Sequence, residues 1–290
     1  SQLTATGLET VTKNITIIGG PVLMERNADL DRIADEAFSQ LRNSDGPING
    51  KFDFQIIDDE ENNSQLREIA FRLQVWNFSF DAQRLTIEGQ HYLESVSVKD
   101  GDETEDLRFL AKLEIKNNGK SAPALNLNFE HLKTRVGGGA EIDISGNKNL
   151  KELHMGTEGS GLAWFESISI GGNADLETVE FFADAVLVMK LGDFELNDNE
   201  KLQTVAMPFS TYFAPDMTSI SVERNGKAAG AAGIRSFVFG SPDLGLKVSG
   251  NVSFVDNAWN VDPADDGMAQ FELNLNAIEE FAGNLIIQRN

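Results

Sequence analysis

Apolar and polar residues alternate along this chain in short bursts, and the bursts recur. EIDISGNKNLKELHM begins at Glu141; twenty-six residues on stands SISIGGNADLETVEF, and twenty-six further DFELNDNEKLQTVAM. With h for an apolar residue, the shared pattern is h-x-h-x-x-N-x-x-h-x-x-h-x-h. Ile142, Ile168, Phe194 and Ile220 share one slot, Ile144, Ile170, Leu196 and Val222 the next, and Asn147, Asn173, Asn199 and Asn225 a third. Fixed self-similarity of this length is the mark of a stacked-repeat architecture.

The pattern continues outward once loops are allowed to vary. Downstream, Val252-x-Phe254-x-x-Asn257 and Leu285-x-Ile287-x-x-Asn290 fit; upstream, Leu113-x-Ile115-x-x-Asn118, Leu85-x-Ile87-x-x-Gln90 and Val22-x-Met24-x-x-Asn27 do. Asn63 keeps only the second half of its repeat, because the acidic run DDEENN interrupts the first. These make ten slots: Asn27, Asn63, Gln90, Asn118, Asn147, Asn173, Asn199, Asn225, Asn257 and Asn290. The h-x-h stretch predicts a short strand with one buried face. The Asn that follows predicts a bend in which the side chain bonds backbone groups. Stacking brings these amides into a ladder. The expected fold is therefore all-β: a right-handed β-solenoid of about ten coils in one domain, roughly 45–50 Å long at ~4.8 Å per strand. Residues 50–290 supply the coils, and 1–49 are expected to form an amino-terminal cap region. Helical spacing is scarce; LDRIADEAFSQLR, residues 30–42, predicts one short helix.

Composition narrows the chemistry. The 290 residues hold 24 Lys+Arg against 46 Asp+Glu, a formal charge of −22, and no cysteine. Disulfides, thiolate metal sites and cysteine nucleophiles are excluded. The acidity makes nucleic acid a poor partner, because it is a polyanion. No apolar run approaches the length of a membrane span. The first twenty residues lack a basic start and an apolar core, so any secretory signal is expected to have been removed or trimmed.

Three segments resemble known families. LKTRVGGGAEIDISGNKNLKEL (132–153) and LETVTKNITIIGG (8–20) resemble the receptor L domain, a leucine-rich-repeat-like β-solenoid of extracellular receptor regions and surface proteins. DRIADEAF (31–38) is similar to the I-x-x-x-A-F turn of bacterial leucine-rich-repeat surface proteins. The resemblance implies an extracellular or cell-surface binding or adhesion module without catalysis, its partner a protein or a glycan. Lacking the cysteines, the chain carries over no receptor-type ligand site.

His91, His131 and His154 form no motif with a nucleophile or metal spacing, and Gly137–Gly139 lacks the Lys-Ser/Thr of a phosphate loop. No cofactor is expected, the acidic loops reading as a solvated face; calcium is the one candidate, with Asp100, Asp102 and Asp106 as its ligands, although the glycine and terminal glutamate of a calcium loop are absent. Phe209, Tyr212, Phe213 and Trp259 lie between repeats and are candidate ligand contacts. The outward positions Asp143, Ser169, Glu195 and Ser221 line up with no basic residue among them, which disfavours a polysaccharide-cleaving β-helix enzyme. The closing strand, with Leu285 and Ile287, is a candidate assembly edge. Through it, copies of the chain stacked head to tail would make a filament or surface layer, the alternative to an adhesion scaffold.

Overall fold

The computed structural model describes residues 3–5, 10–11, 22–25, 30–33, 52–58, 65–72, 83–99, 111–129, 139–155, 162–181, 187–207, 216–229, 233–239, 246–260 and 278–290. Among them the only regular elements are strands, and every pairing is parallel. The first sheet has eleven strands, in chain order: Leu3–Ala5, Val22–Glu25, Phe52–Ile57, Gln83–Glu88, Lys112–Lys116, Ala140–Ser145, Leu162–Gly171, Leu187–Asn197, Ser219–Glu223, Val252–Val255 and Leu285–Gln288. The second has nine: Thr10–Val11, Arg32–Ile33, Glu68–Arg72, Ser95–Lys99, Leu125–Phe129, Leu150–Met155, Thr178–Phe181, Thr204–Met207 and Ser236–Phe239. Each coil passes from the first sheet to the second and returns one rung higher. The chain is thus a parallel β-solenoid.

The repeat slots explain the stacking. Ile142, Ile168, Phe194, Ile220 and Val252 lie in one register, and Ile144, Ile170, Leu196, Val222 and Phe254 in the next. All ten are buried. The second sheet stacks Leu153, Val179, Val205 and Phe237, then Met155, Phe181, Met207 and Phe239. A third row, Leu150, Leu176, Leu202 and Ile234, fills the core beside the bend. The core is therefore one continuous column, each layer touching mainly its neighbours above and below.

The helix expected over 30–42 does not start as a helix. Arg32–Ile33 is a strand, flanked in parallel by Thr10–Val11 and Glu68–Arg72. Ile33 faces Ile69 in the core and Leu30 is buried as well. Strand neighbours on both sides outweigh helical spacing in a short segment. Residues 34–42 lie outside the described residues. Leu3–Ala5 extends the first sheet upstream of the earliest slot read from the pattern.

In the later coils a third side appears. Asp216–Met217, Leu246–Val248 and Ile278–Phe281 form a three-stranded parallel sheet just before the first-sheet strands of their coils. The corner between these sides is tight. Gly192 packs on the carbonyl of Glu166, Gly250 on that of Thr218 and Gly283 on that of Gly250. A Cβ at any of the three would clash with the backbone oxygen of the coil below.

Candidate functional site

The first polar array is the buried ladder at the bend. Its polar groups are internal, so they define what stays rigid. Gln90, Asn118, Asn147, Asn173, Asn199, Asn225 and Asn257 are buried, and Asn290 ends the series exposed. From Asn147 to Asn257 each residue repeats one arrangement. Asn173 is typical: its Oδ1 accepts from the backbone N–H of Asn147 at 3.0 Å and from Asn147 Nδ2 at 3.1 Å. Its Nδ2 donates to the Ile144 carbonyl at 2.9 Å and to Asn199 Oδ1 at 3.3 Å. A primary amide offers two donors and an oxygen with two lone pairs, so the side chain is fully used. Gln90 has the same backbone bond, to Asn118 Oδ1 at 2.9 Å, but turns its own amide to the Glu88 carbonyl. Asn27 and Asn63 lie outside the described residues.

The residue before each described rung was not singled out by sequence reasoning. Gly89, Asn117, Gly146, Gly172, Asp198, Arg224, Asp256 and Arg289 all have φ between 51° and 74°. That left-handed turn suits Gly, Asn and Asp; the recurring Gly, Asn or Asp one place before the ladder was the readable signal. Arginine is the exception, and both arginines are clamped. Arg224 Nε and Nη2 bond the two carboxylate oxygens of Asp198 at 2.6 and 2.8 Å, and Arg289 does the same to Asp256 at 2.7 and 2.7 Å. These guanidinium bonds hold the Asp198 and Asp256 carboxyls below the usual range, and a bond from Lys201 does so for Asp175. Their contribution to stability is present above the ordinary carboxylate pKa of about 3.9 and is lost as pH falls through the lower folded values. Urea midpoints should therefore fall between pH 5 and pH 3, and fall less in Asp198→Asn. Equal drops in the two proteins would remove the pair from the account.

The second surface is the outward face of the first sheet, and here polar side chains are free to meet a ligand. Across one register run Asp143, Ser169, Glu195 and Ser221. Bonds between coils brace this face. Thr86 Oγ1 donates to Glu114 at 3.2 Å, and Lys116 Nζ bridges Glu114 and Asp143 at 2.8 Å each. Aligned by repeat, that register holds no basic residue; Lys116 supplies a basic partner from the adjacent outward row. Burial pushes the Glu114 carboxyl up, but Lys116 and Lys112 together hold it below its usual range. Further along, Ser219 donates to Asp193 at 2.7 Å, the Glu223 N–H to Asn197 Oδ1 at 3.0 Å, and Ser221 and Ser253 to Glu223 at 3.2 and 3.3 Å. Ser167, Ser169 and Gly171 form a low strip with Glu141 and Asp143 on one side and Asp193 and Glu195 on the other.

The remaining candidates are dispersed. His154 faces outward on the second sheet, its Nδ1 3.1 Å from Glu180 and its Nε2 3.2 Å from Glu152. His91 is buried in the bend after Gln90. Trp259 does not project from a loop: it packs against the core and bridges in parallel to Ile234. Leu285 and Ile287 are exposed, 48% and 57%. His131, Gly137, Gly138, Phe209, Tyr212, Phe213, Asp100, Asp102 and Asp106 lie outside the described residues. Among the described residues no cluster of three metal-ligating side chains occurs, and no helix is long and apolar enough to cross a membrane. The chain matches no protein-family model, no curated protein and no solved structure.

Proposed function

We propose that this chain is a non-catalytic binding or adhesion scaffold of the extracellular or cell-surface kind, related in design to receptor L domains and leucine-rich-repeat surface proteins. Its ligand is a protein or a glycan, taken on the outward face of the first sheet. The observation that carries this reading is the bracing of that face: Thr86, Glu114, Lys116, Asp143, Asp193, Asn197, Ser219, Glu223 and Ser253 are held by bonds that run from coil to coil. A polar surface ordered before the ligand arrives loses little side-chain freedom on binding. The same strands carry a buried row on their other face, so the display rests on a rigid core rather than on loops.

The test is a panel of immobilised glycans and matrix proteins probed with the wild-type chain and with Ser169→Arg. The arginine fills the low strip and changes its charge while leaving the buried row untouched. Saturable binding to one panel member, weakened at least tenfold by the substitution, is the expected result. Binding that ignores the substitution would move the site elsewhere. New reducing ends appearing in any glycan would make the chain an enzyme.

A further inference from the structure

Two rungs of the ladder set asparagine beside glycine because the fold needs both. The dipeptide Asn-Gly occurs at 49–50, 118–119 and 225–226. The first lies outside the described residues; the other two stand on the ladder. In each, the asparagine is the buried amide of its rung, and the glycine turns the chain beyond it, with φ of 74° at Gly119 and 71° at Gly226. A Cβ would stand 2.5 Å from the Lys148 carbonyl oxygen at Gly119 and 2.8 Å from that of Ala258 at Gly226. The rungs at Asn147, Asn173, Asn199 and Asn257 are followed instead by Lys, Ala, Glu and Ala.

Asn-Gly is the dipeptide whose backbone nitrogen attacks the preceding side chain most readily, because glycine neither shields that nitrogen nor restricts its approach. Hydroxide removes the glycine N–H proton, and the nitrogen bonds to the asparagine Cγ. The Cγ–Nδ2 bond breaks, and the nitrogen leaves as ammonia with a proton from water. Water then opens the cyclic imide at either carbonyl, to aspartate or to isoaspartate. In the closed solenoid both reacting groups are held by one residue of the preceding rung. Asn199 N–H donates to Asn225 Oδ1 at 3.0 Å, and the Asn199 carbonyl accepts from Gly226 N–H at 2.9 Å. Gln90 holds the other pair alike, through Asn118 Oδ1 at 2.9 Å and Gly119 N–H at 2.9 Å. The leaving nitrogens are tied as well: Asn225 Nδ2 donates to the Leu196 carbonyl and Asn257 Oδ1, and Asn118 Nδ2 to the Ile87 carbonyl and Asn147 Oδ1. Attack requires the glycine proton gone and the carboxamide turned face-on to the nitrogen, and these bonds forbid both.

We propose that Asn118 and Asn225 are modification sites, deamidating spontaneously when their own rungs open and shut off while those rungs are closed. The products cannot close again. Aspartate has no hydrogen for the Ile87 or Leu196 carbonyl, and isoaspartate adds one carbon to the backbone between the ladder residue and its glycine. An opening that reacts is therefore irreversible, the step that turns transient opening into permanent loss. Because coils couple mainly to their neighbours, each site records the opening of its own stretch of the solenoid.

The test is to hold the full chain at mildly alkaline pH, folded and in guanidinium chloride, and to follow amide-to-acid conversion residue by residue with peptide mass spectrometry. In the denatured chain Asn118 and Asn225 should convert at least about tenfold faster than Asn147, Asn173, Asn199 and Asn257. Folding should slow both by at least about a hundredfold, since only the open fraction reacts. Phe237→Ala, in the coil of Asn225, should speed conversion at Asn225 at least about tenfold and leave Asn118 unchanged; Phe129→Ala, buried in the coil of Asn118, should do the reverse. Equal acceleration of both sites in a variant that keeps the wild-type circular dichroism spectrum would overturn the proposal. So would folded wild type converting at the denatured rate, or a denatured chain in which the two sites are no faster than the other rungs. The wild-type comparison decides the matter if either variant fails to fold.

Discussion

Asn173→Ala is expected to lower the stability of the solenoid by about 4 kcal/mol. The side chain makes four bonds, two accepted from Asn147 and two donated to Ile144 and Asn199. Alanine leaves the Asn147 N–H buried without a partner, at roughly 1–3 kcal/mol, and takes from the Ile144 carbonyl one bond worth about 1 kcal/mol, the sheet ladder to the next strand still holding that oxygen. Asn147 Nδ2 also loses one of its acceptors. A water entering the vacated amide volume would recover part of the loss, which keeps the figure below a simple sum. Asn126→Ala is the control: that side chain is exposed, has one long bond to the Glu94 carbonyl at 3.3 Å, and should change stability by less than about 0.5 kcal/mol.

Asn173→Asp separates the amide's two roles. The carboxylate keeps the acceptor function but has no hydrogens for the Ile144 carbonyl and Asn199 Oδ1. It also places a buried charge against two oxygens, which raises its pKa in the folded state. A raised folded value means that the penalty is absent below the unfolded pKa of about 3.9 and grows as pH rises through it. Denaturant midpoints of wild type and variant should therefore differ most at pH 7 and converge toward pH 4. A variant as stable as wild type at pH 7 would show that the ladder amide contributes nothing as a donor.

Phe237→Ala should cost a similar amount, about 4 kcal/mol, by a different route. Phe237 is fully buried, stacks on Phe239 at 6.4 Å and meets the edge of Phe254 at 5.6 Å. Phe239 in turn lies 5.2 Å from Phe194, so one aromatic group joins three coils. Truncation leaves a cavity that parallel strands on a fixed spacing cannot close. Because coils couple mainly to their neighbours, the loss should appear locally. Hydrogen exchange should accelerate over 233–260 while 140–181 stays protected. Phe237→Leu, which keeps most of the volume, should cost no more than about 1.5 kcal/mol. Uniform acceleration along the whole chain would mean that the solenoid unfolds as one cooperative block.

Much of this architecture could be read from residue spacing, because its two strongest signals are one-dimensional. Apolar residues two apart become buried rows, and an amide at a constant offset falls at the same bend in every coil. Ile142 to Ile168 and Asn147 to Asn173 are both 26-residue steps, and both pairs stack directly. What escaped spacing depended on neighbours in space. Ile33 is in a strand because Val11 and Ile69 flank it, and no window around residue 33 contains either. The third side rests on glycines at 192, 250 and 283 whose separations, 58 and 33, follow no single period. Lys116 reaches Asp143 across the sheet from an adjacent outward row, which alignment of like positions does not show. Trp259 sits in an insertion by sequence, yet its partner Ile234 lies in the preceding coil and draws it onto the core.

Among the described rungs, Gln90 to Asn290, the ladder steps range from 26 residues, between Asn147 and Asn173, to 33, between Asn257 and Asn290, yet every one of these steps spans one rung. Extra residues leave at the corners and the strands keep their spacing of about 4.8 Å. Distance along the body is therefore counted in rungs, not in residues. Two groups displayed on the outward face are separated by a whole number of increments, and a loop can lengthen without disturbing that interval. Inserting or deleting one complete coil would move everything beyond it by one increment and change nothing within either half. A ligand with its own regular repeat would thus meet this surface as one scale laid against another, matching where the two divisions coincide.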